Sequence, residues 1–167
     1  MSIEQEIASW DGKSSSDIDA IYSRHDNDVS FAAKLIDLFQ QTALQKGATW
    51  LLKRHLEGNR KLEANEIAMV YRFLSRLEHW ETKLHILQCI PFMPIAETEK
   101  KAVETFLRKC LIDSNKFIRA WAYNGFYEIS TQYPEYKKET KQFFEMAMRD
   151  EAPSVKARIR NIVKKDF

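Results

Sequence analysis

The sequence predicts an all-α protein built from a stack of paired antiparallel helices. Three observations predict this fold class. Only four Gly and four Pro occur among 167 residues, and apolar residues recur at spacings of three and four along most of the chain. The pattern of the segment 113–130 also returns 37 residues later, from Asp150, and a weaker copy lies 36 residues earlier. A repeat of this length is typical of stacked helical arrays.

The helical elements follow in order after a short lead-in. We expect residues 1–15 to be a flexible lead-in, because they end in a run rich in Gly and Ser. An extra helix is predicted over 16–25. Four helix pairs then complete the chain: 28–42 with 44–57, 64–77 with 80–90, 98–112 with 114–131, and 135–149 with 153–165. Residues 16–167 are thus expected to form a single helical-repeat domain.

Helix-ending and helix-capping residues separate these elements. Gly58 is the residue type favoured just past a helix end, and Pro91 and Pro94 stop the helix before them. The polar turn 113–115 provides caps for the helix that follows, since such side chains accept hydrogen bonds from free helical amides. Pro153 opens the last helix, where the first turn tolerates proline.

The segment from Asp113 to Ala122 resembles a HEAT repeat. Asp113 precedes the basic Arg119 by six residues, an aliphatic residue stands immediately before the base, and Ala122 follows it. The same relation joins Asp150 to Lys156. The resemblance implies a right-handed α–α superhelix of about four HEAT-like pairs with an extra N-terminal helix, whose second helices line the concave side. It also implies that these acids and bases form a structural ladder between neighbouring repeats.

Two columns of polar and aromatic residues emerge when Lys83 is aligned with Arg119. One column is His85, Trp121 and Arg158, and the other is Gln88, Asn124 and Asn161. Members of a column are expected to lie side by side on adjacent second helices. An amide column can hold an extended peptide, because each carboxamide offers a donor and an acceptor. The alternative is that these amides bond between helices within the stack.

The aromatic residues around Trp121 cannot all share one helix face. Trp121, Tyr123, Phe126 and Tyr127 span nearly the whole circumference of the helix, so at least one is expected at the surface or in a groove. An aromatic residue beside Arg119 suits contact with a partner. Ordinary packing between repeats is the alternative for each of them.

The last helix is rich in bases. Lys156, Arg160 and Lys164 recur every four residues, and Arg158 and Lys165 are seven residues apart on another stripe. Such a face is able to contact phosphates. The alternative is that a terminal helix needs a polar outer surface to cap the array.

Bulk properties limit the compartment and the chemistry. The net charge of +2 is nearly balanced, so charge alone requires neither nucleic acid nor an anionic membrane. The start of the chain does not resemble a signal peptide, and no stretch is apolar enough to cross a bilayer. Cys89 and Cys110 fall on apolar stripes, which fits reduced thiols and a cytoplasmic location. No catalytic motif, cofactor loop or metal-ligand spacing is recognised, so we expect no catalytic residue, no cofactor and no metal.

The sequence therefore favours a non-enzymatic protein- or peptide-binding scaffold. The partner is expected on the concave face, at Arg119, Trp121, Tyr123 and Asn124, with His85, Gln88, Arg158, Arg160 and Asn161 extending that surface. The alternative is a HEAT-like protein that binds nucleic acid through the basic last helix. DNA alkylation repair glycosylases are built from repeats of this kind, although this chain is shorter and less basic than that activity suggests. The sequence does not define the oligomeric state.

Overall fold

The computed structural model describes residues 1–165 and 167, and the secondary structure of these residues is helical. The chain divides into two compact units, Met1–Met93 and Pro94–Phe167, where the sequence predicted one repeat domain from residue 16. The boundary falls in the segment where Pro91 and Pro94 interrupt helical structure. Each unit is described by itself.

The first unit contains six α-helices. They are α1 (Ile3–Ser9), α2 (Ser15–His25), α3 (Phe31–Leu38), α4 (Thr42–Glu57), α5 (Ala64–Arg72) and α6 (Trp80–Cys89), with short 3₁₀ helices at Leu74–Arg76 and Ile90–Phe92. Helix α4 is central, since it packs against α1, α2, α3 and α6. Its fully buried Leu51, Leu52 and Leu56 supply much of the apolar core that holds this unit together.

The beginning of the chain is more ordered than the sequence predicted. Residues 3–9 of the expected flexible lead-in form α1, which starts with a reciprocal cap: Gln5 donates its backbone N–H to the Ser2 hydroxyl, and Ser2 donates its own to the Gln5 side chain. Ile3 and Ile7 are buried, and α1 packs against α2 and α4. A helix this short is unstable in isolation, so this packing provides its stability.

Helix α1 approaches α4 at Gly47. A Cβ built on Gly47 would lie 2.5 Å from Cγ2 of Ile7, so a larger residue here would collide with α1. Gly47 lies 36 residues before Lys83, so it occupies the position at which Lys83 and Arg119 carry a base in the later repeats. The close approach of the two helices leaves no room for such a side chain here.

The second unit consists of two helix pairs. They are α7 (Lys100–Leu111) with α8 (Lys116–Gln132), and α9 (Lys137–Asp150) with α10 (Pro153–Val163), and a 3₁₀ helix at Pro134–Tyr136 precedes α9. Helix α8 packs against α7, α9 and α10. Asn115 caps α8 by accepting hydrogen bonds from the backbone N–H groups of Phe117 and Ile118, at 2.8 and 3.3 Å. The turn predicted to start this helix therefore does so.

Helices of successive pairs pack on one another within each unit. In the first unit α3 contacts α5 and α4 contacts α6, and in the second unit α8 contacts α10. Two ion pairs and a hydrogen bond also join α7 to the segment that begins at Pro134, and the shortest of these contacts, 2.6 Å, joins Arg108 to Glu139. None of the helices in the described part of the chain combines the length and apolar character that crossing a membrane demands.

Candidate partner-binding surface

One face of α8 carries an aromatic, an amide and an acid in succession. Trp121, Asn124 and Glu128 are three and four residues apart, so successive helical turns place them on one side of the helix. Trp121 and Glu128 are partly buried, and Asn124 is 3% exposed. Glu128 lies one helical turn beyond Asn124, on the side of α8 where the sequence predicted Trp121 and Asn124 to contact a partner.

The neighbouring helix presents a matching series of bases and an amide. Arg158 and Asn161 lie on α10, and Lys165 follows its end, at the same spacings as the α8 residues and 37 positions later in the chain. The guanidinium carbon of Arg158 lies 4.1 Å from the ring centre of Trp121, a cation–π contact. The sequence-based alignment predicted this pair as neighbours, and the structure places them together.

The residues two helical turns beyond Trp121 and Arg158, which are Glu128 and Lys165, are also neighbours. Lys165 is close enough to Glu128 to oppose the rise that burial causes in the pKa of this carboxyl, and its Nζ lies 5.6 Å from the ring centre of Tyr127. Asn124 and Asn161 occupy the intermediate positions of their helices, so they fall between these two contacts. We call the six residues the α8–α10 face: Trp121, Asn124, Glu128, Arg158, Asn161 and Lys165.

Burial acts in opposite directions on the two partly buried charges of this face. It raises the pKa of the Glu128 carboxyl and lowers the pKa of the Arg158 guanidinium, because a less polar environment disfavours each charged form. Among the described residues Arg158 has no carboxylate partner, and burial is the one cause of its lowered pKa. This face therefore contains a cation whose hydrogen-bond donors are not used by the acids that the structure describes.

Arg119 was expected to contact a partner, but its guanidinium is bound to groups of this chain. Its Nε and Nη2 donate hydrogen bonds of 2.7 and 2.9 Å to the carboxylate of Glu151, and Nη1 donates to the backbone oxygens of Asp113 and Ser114. The acid that it contacts is Glu151, one residue after the predicted Asp150. The side-chain carboxylate of Asp113 instead accepts a hydrogen bond from the backbone N–H of Asn115.

The Arg119–Glu151 pair links α8 to the turn between α9 and α10. The hydrogen bonds that Arg119 donates hold the pKa of the Glu151 carboxyl below its ordinary value, and the same bonds raise the pKa of the Arg119 guanidinium. This ion pair connects neighbouring helix pairs, as the predicted ladder would, but its acid is Glu151 and neither Asp113 nor Asp150. Asp150 is exposed, whereas Glu151 is partly buried beside the base.

Tyr123 lies in the core. It is 9% exposed and its ring packs against Phe144 with ring centres 6.2 Å apart, within a cluster that includes Val155 and Ile159. Burial raises the pKa of its hydroxyl. The prediction placed Tyr123 on the partner-binding surface, but its side chain packs toward α9 and α10. Of the two aromatic residues Trp121 and Tyr123, only Trp121 belongs to the α8–α10 face.

His85 and Gln88 belong to the first unit, and His85 is a core residue there. It is 8% exposed, its Nδ1 lies 2.9 Å from the Thr49 hydroxyl, and its ring centre is 5.5 Å from that of Trp50. Burial lowers the pKa of His85 to about 3, so the ring is neutral at pH 7. His85 was predicted to contact a partner, but its ring contacts Thr49 and Trp50 of α4 instead. Gln88 is partly exposed.

The remaining predicted bases are not among the six residues of the α8–α10 face. Arg160 and Lys164 are exposed, and Lys156 is partly exposed. Because Arg160 follows Arg158 by two residues, the two side chains leave α10 in roughly opposite directions. In the part of the chain that the structure describes, no group of three or more His, Cys, Asp or Glu residues is arranged to hold a metal ion.

Glu128 is the residue of this face that sequence reasoning missed. Two signals for it were present: it continues the stripe begun by Trp121, and it precedes Lys165 by the repeat length of 37 residues. Comparison of the chain with models of protein families, with curated proteins and with solved structures finds no match.

Proposed function

We propose that the protein is a non-enzymatic interaction module of HEAT-like helix pairs that binds a protein or peptide through the α8–α10 face. The contact of Trp121 with Arg158 carries this proposal. Trp and Arg are the side chains that most often dominate binding energy at protein interfaces, and here they lie together, partly buried, on packed helices. A rigid platform of this kind needs little ordering when a partner binds.

The polar neighbours of this pair favour a polypeptide ligand. The exposed carboxamide of Asn161 offers a donor and an acceptor, which matches the alternating N–H and C=O groups of an extended chain. Lys165 and Glu128 add one charge of each sign at the next turn. Mixed charge and amides next to an aromatic side chain are more typical of protein interfaces than of surfaces that follow a phosphate backbone.

An affinity experiment tests this function. The tagged chain is incubated with lysate of the parent organism, with and without nuclease, and retained proteins are quantified by mass spectrometry. We expect a nuclease-resistant protein partner whose recovery falls roughly tenfold or more with Trp121→Ala. Trp80→Ala is the matched control, because Trp80 is also partly exposed, at 43%, but lies in the first unit.

Equal recovery with both tryptophan variants would contradict the proposal. Thermal unfolding of each variant, followed by circular dichroism, shows whether a loss of binding reflects a loss of folding instead. Phe117→Ala provides a second exposed aromatic control on α8, since Phe117 is 48% exposed and contacts Lys116.

Nucleic-acid binding is the second candidate, and the exposure of Arg160 on α10 and of Lys164 at its end favours it. These cations have no ion-pair partner among the described residues, so they are accessible to phosphates. This function predicts that affinity for single-stranded or duplex DNA or RNA falls steeply with salt, and that the double variant Arg160→Gln, Lys164→Gln reduces the slope by about two charges. Binding that is insensitive to both changes excludes it.

A further inference from the structure

We infer that the partner is an acidic peptide segment and that its carboxylate binds the guanidinium of Arg158, which lies on the ring of Trp121. This inference rests on the proposed function and specifies the ligand of the same face. Its starting point is a difference among the arginines of the second unit.

Two arginines of this unit are already held by acids. Arg108 donates to Glu104 and Glu139, and Arg119 donates to Glu151. Arg158 is also partly buried, but among the described residues its close partner is the ring of Trp121. A partly buried guanidinium without an anion has lost hydration and has not regained hydrogen bonds.

The chemistry of a guanidinium defines the missing ligand. A guanidinium has five N–H donors in a planar fork, and two of them match the two oxygens of a carboxylate. An aromatic ring in contact with the cation does not accept conventional hydrogen bonds from these donors, so they stay available for a carboxylate. The Trp121 ring also fixes the side chain, so less conformational entropy is lost when an anion binds. The α8–α10 face is therefore prepared for one carboxylate at Arg158.

Residues around Arg158 favour a carboxylate on a peptide over a phosphate on a nucleic acid. Asn161 lies one turn along α10, where it can bond to the backbone of an extended chain. Glu128 lies two turns from Arg158 in the same register and is near Lys165, so the two opposite charges offset each other and this part of the face attracts a continuous row of phosphates less than a row of bases would. A peptide with a single acid at the Arg158 position needs no further cation.

A random-peptide display library tests the inference on the full chain. Sequences enriched by the wild type are compared with those enriched by Trp121→Ala, Arg158→Gln and Arg160→Gln. We expect the wild type to enrich peptides that contain Asp or Glu, and Arg158→Gln to lose this preference. Arg160→Gln is the matched control and keeps it, because Arg160 lies on the same helix but on another side.

Binding assays with synthetic peptides then measure how much affinity the carboxylate contributes and whether it belongs to a side chain or to the C-terminus of the peptide. Replacing the selected Asp or Glu by Asn or Gln, or replacing Arg158 by Gln, is expected to weaken binding roughly tenfold or more, and the two changes together should weaken it no further than either alone. Peptides with a free or amidated C-terminus distinguish a side-chain carboxylate from a terminal one. Arg158→Lys keeps the charge without the planar fork, so it should retain part of the affinity and provides a second variant if Arg158→Gln unfolds.

Three results overturn the inference. Enrichment that depends on Trp121 but shows no preference for acids contradicts the carboxylate and leaves the proposed function in place. Displacement of the bound peptide by a single-stranded oligonucleotide at equal charge concentration favours a phosphate ligand instead. Failure of the wild type to enrich any peptide in a Trp121-dependent manner overturns the inference and the peptide-binding function together.

Discussion

Arg119 on α8 and Glu151 in the turn before α10 form a two-point ion pair, with N–O distances of 2.7 and 2.9 Å, that joins two successive helix pairs. The side chains are only 21% and 14% exposed, so solvent weakens the pair less than it weakens a fully exposed one. The same guanidinium holds the backbone oxygens of Asp113 and Ser114 at the start of α8. One side chain thus fixes both the beginning of α8 and its connection to the next pair.

Loss of this pair is expected to destabilise the protein. Glu151→Gln removes the charge but keeps the size of the side chain, and we expect the free energy of unfolding to fall by about 1.5–3 kcal/mol, the range for hydrogen bonds to charged groups. Chemical denaturation followed by tryptophan fluorescence measures the change. Asp150→Asn is the control, since Asp150 is exposed and should alter stability by less than about 0.5 kcal/mol.

The contribution of Glu151 should depend on pH in a defined direction. Arg119 lowers the pKa of Glu151 in the folded protein, so the stabilisation is complete above the pKa of an unfolded glutamate, about 4.3. It is lost as the pH falls through the lower folded-state value. The difference in unfolding free energy between wild type and Glu151→Gln should therefore be constant from pH 7 to pH 5 and shrink below pH 4. A difference that grows on acidification would contradict this assignment.

His85 should give the fold an additional sensitivity to acid at a higher pH. Its folded-state pKa of about 3 lies below that of an unfolded histidine, about 6.5, so between these values only the unfolded chain takes up the proton. We expect the histidine to reduce the free energy of unfolding by about 2 kcal/mol between pH 7 and pH 5. His85→Gln should lack this part of the pH dependence, while His79→Gln, at an exposed position, should retain it. Unfolding curves of the three proteins at both pH values provide the comparison.

Gly47 should tolerate no side chain while α1 stays in place. Alanine normally stabilises a helix interior relative to glycine, but at Gly47 the new methyl group would meet Ile7 at 2.5 Å. We expect Gly47→Ala to cost about 1–3 kcal/mol and to expose the amides of α1 to hydrogen exchange. Adding Ile7→Ala removes the atoms with which the new methyl group collides. The double variant should therefore lose less free energy of unfolding than the sum of the two single variants. Gly58→Ala, where the nearest atom is 3.4 Å away, should have little effect.

Much of the helical fold was predictable because periodicity and capping are local. The helices predicted over 114–131 and 153–165 are observed at Lys116–Gln132 and Pro153–Val163. The contact of Trp121 with Arg158 followed from the 37-residue repeat, since equal positions of stacked helices are neighbours.

The exceptions depend on tertiary contacts that periodicity does not encode. Helix α1 is too short to be recognised from its own propensity, and it forms because Ile3 and Ile7 are covered by other helices. The sequence pattern placed His85 and Tyr123 on the expected partner-binding surface, and both side chains carry polar atoms. Neighbouring helices nevertheless bury both of them. Glu151 replaced Asp150 as the partner of Arg119 because the choice between adjacent acids depends on how the chain turns between α9 and α10.

The links between successive helix pairs also bear on how fast the chain folds. Arg108 and Glu139 are 31 residues apart, Arg119 and Glu151 are 32 apart, and Thr49 and His85 are 36 apart. Most residue contacts of the chain are more local than these links, and chains dominated by local contacts cross their folding barrier in microseconds to milliseconds. Within each unit, we therefore expect a helix pair to form from its local contacts first and the links between pairs to close afterwards.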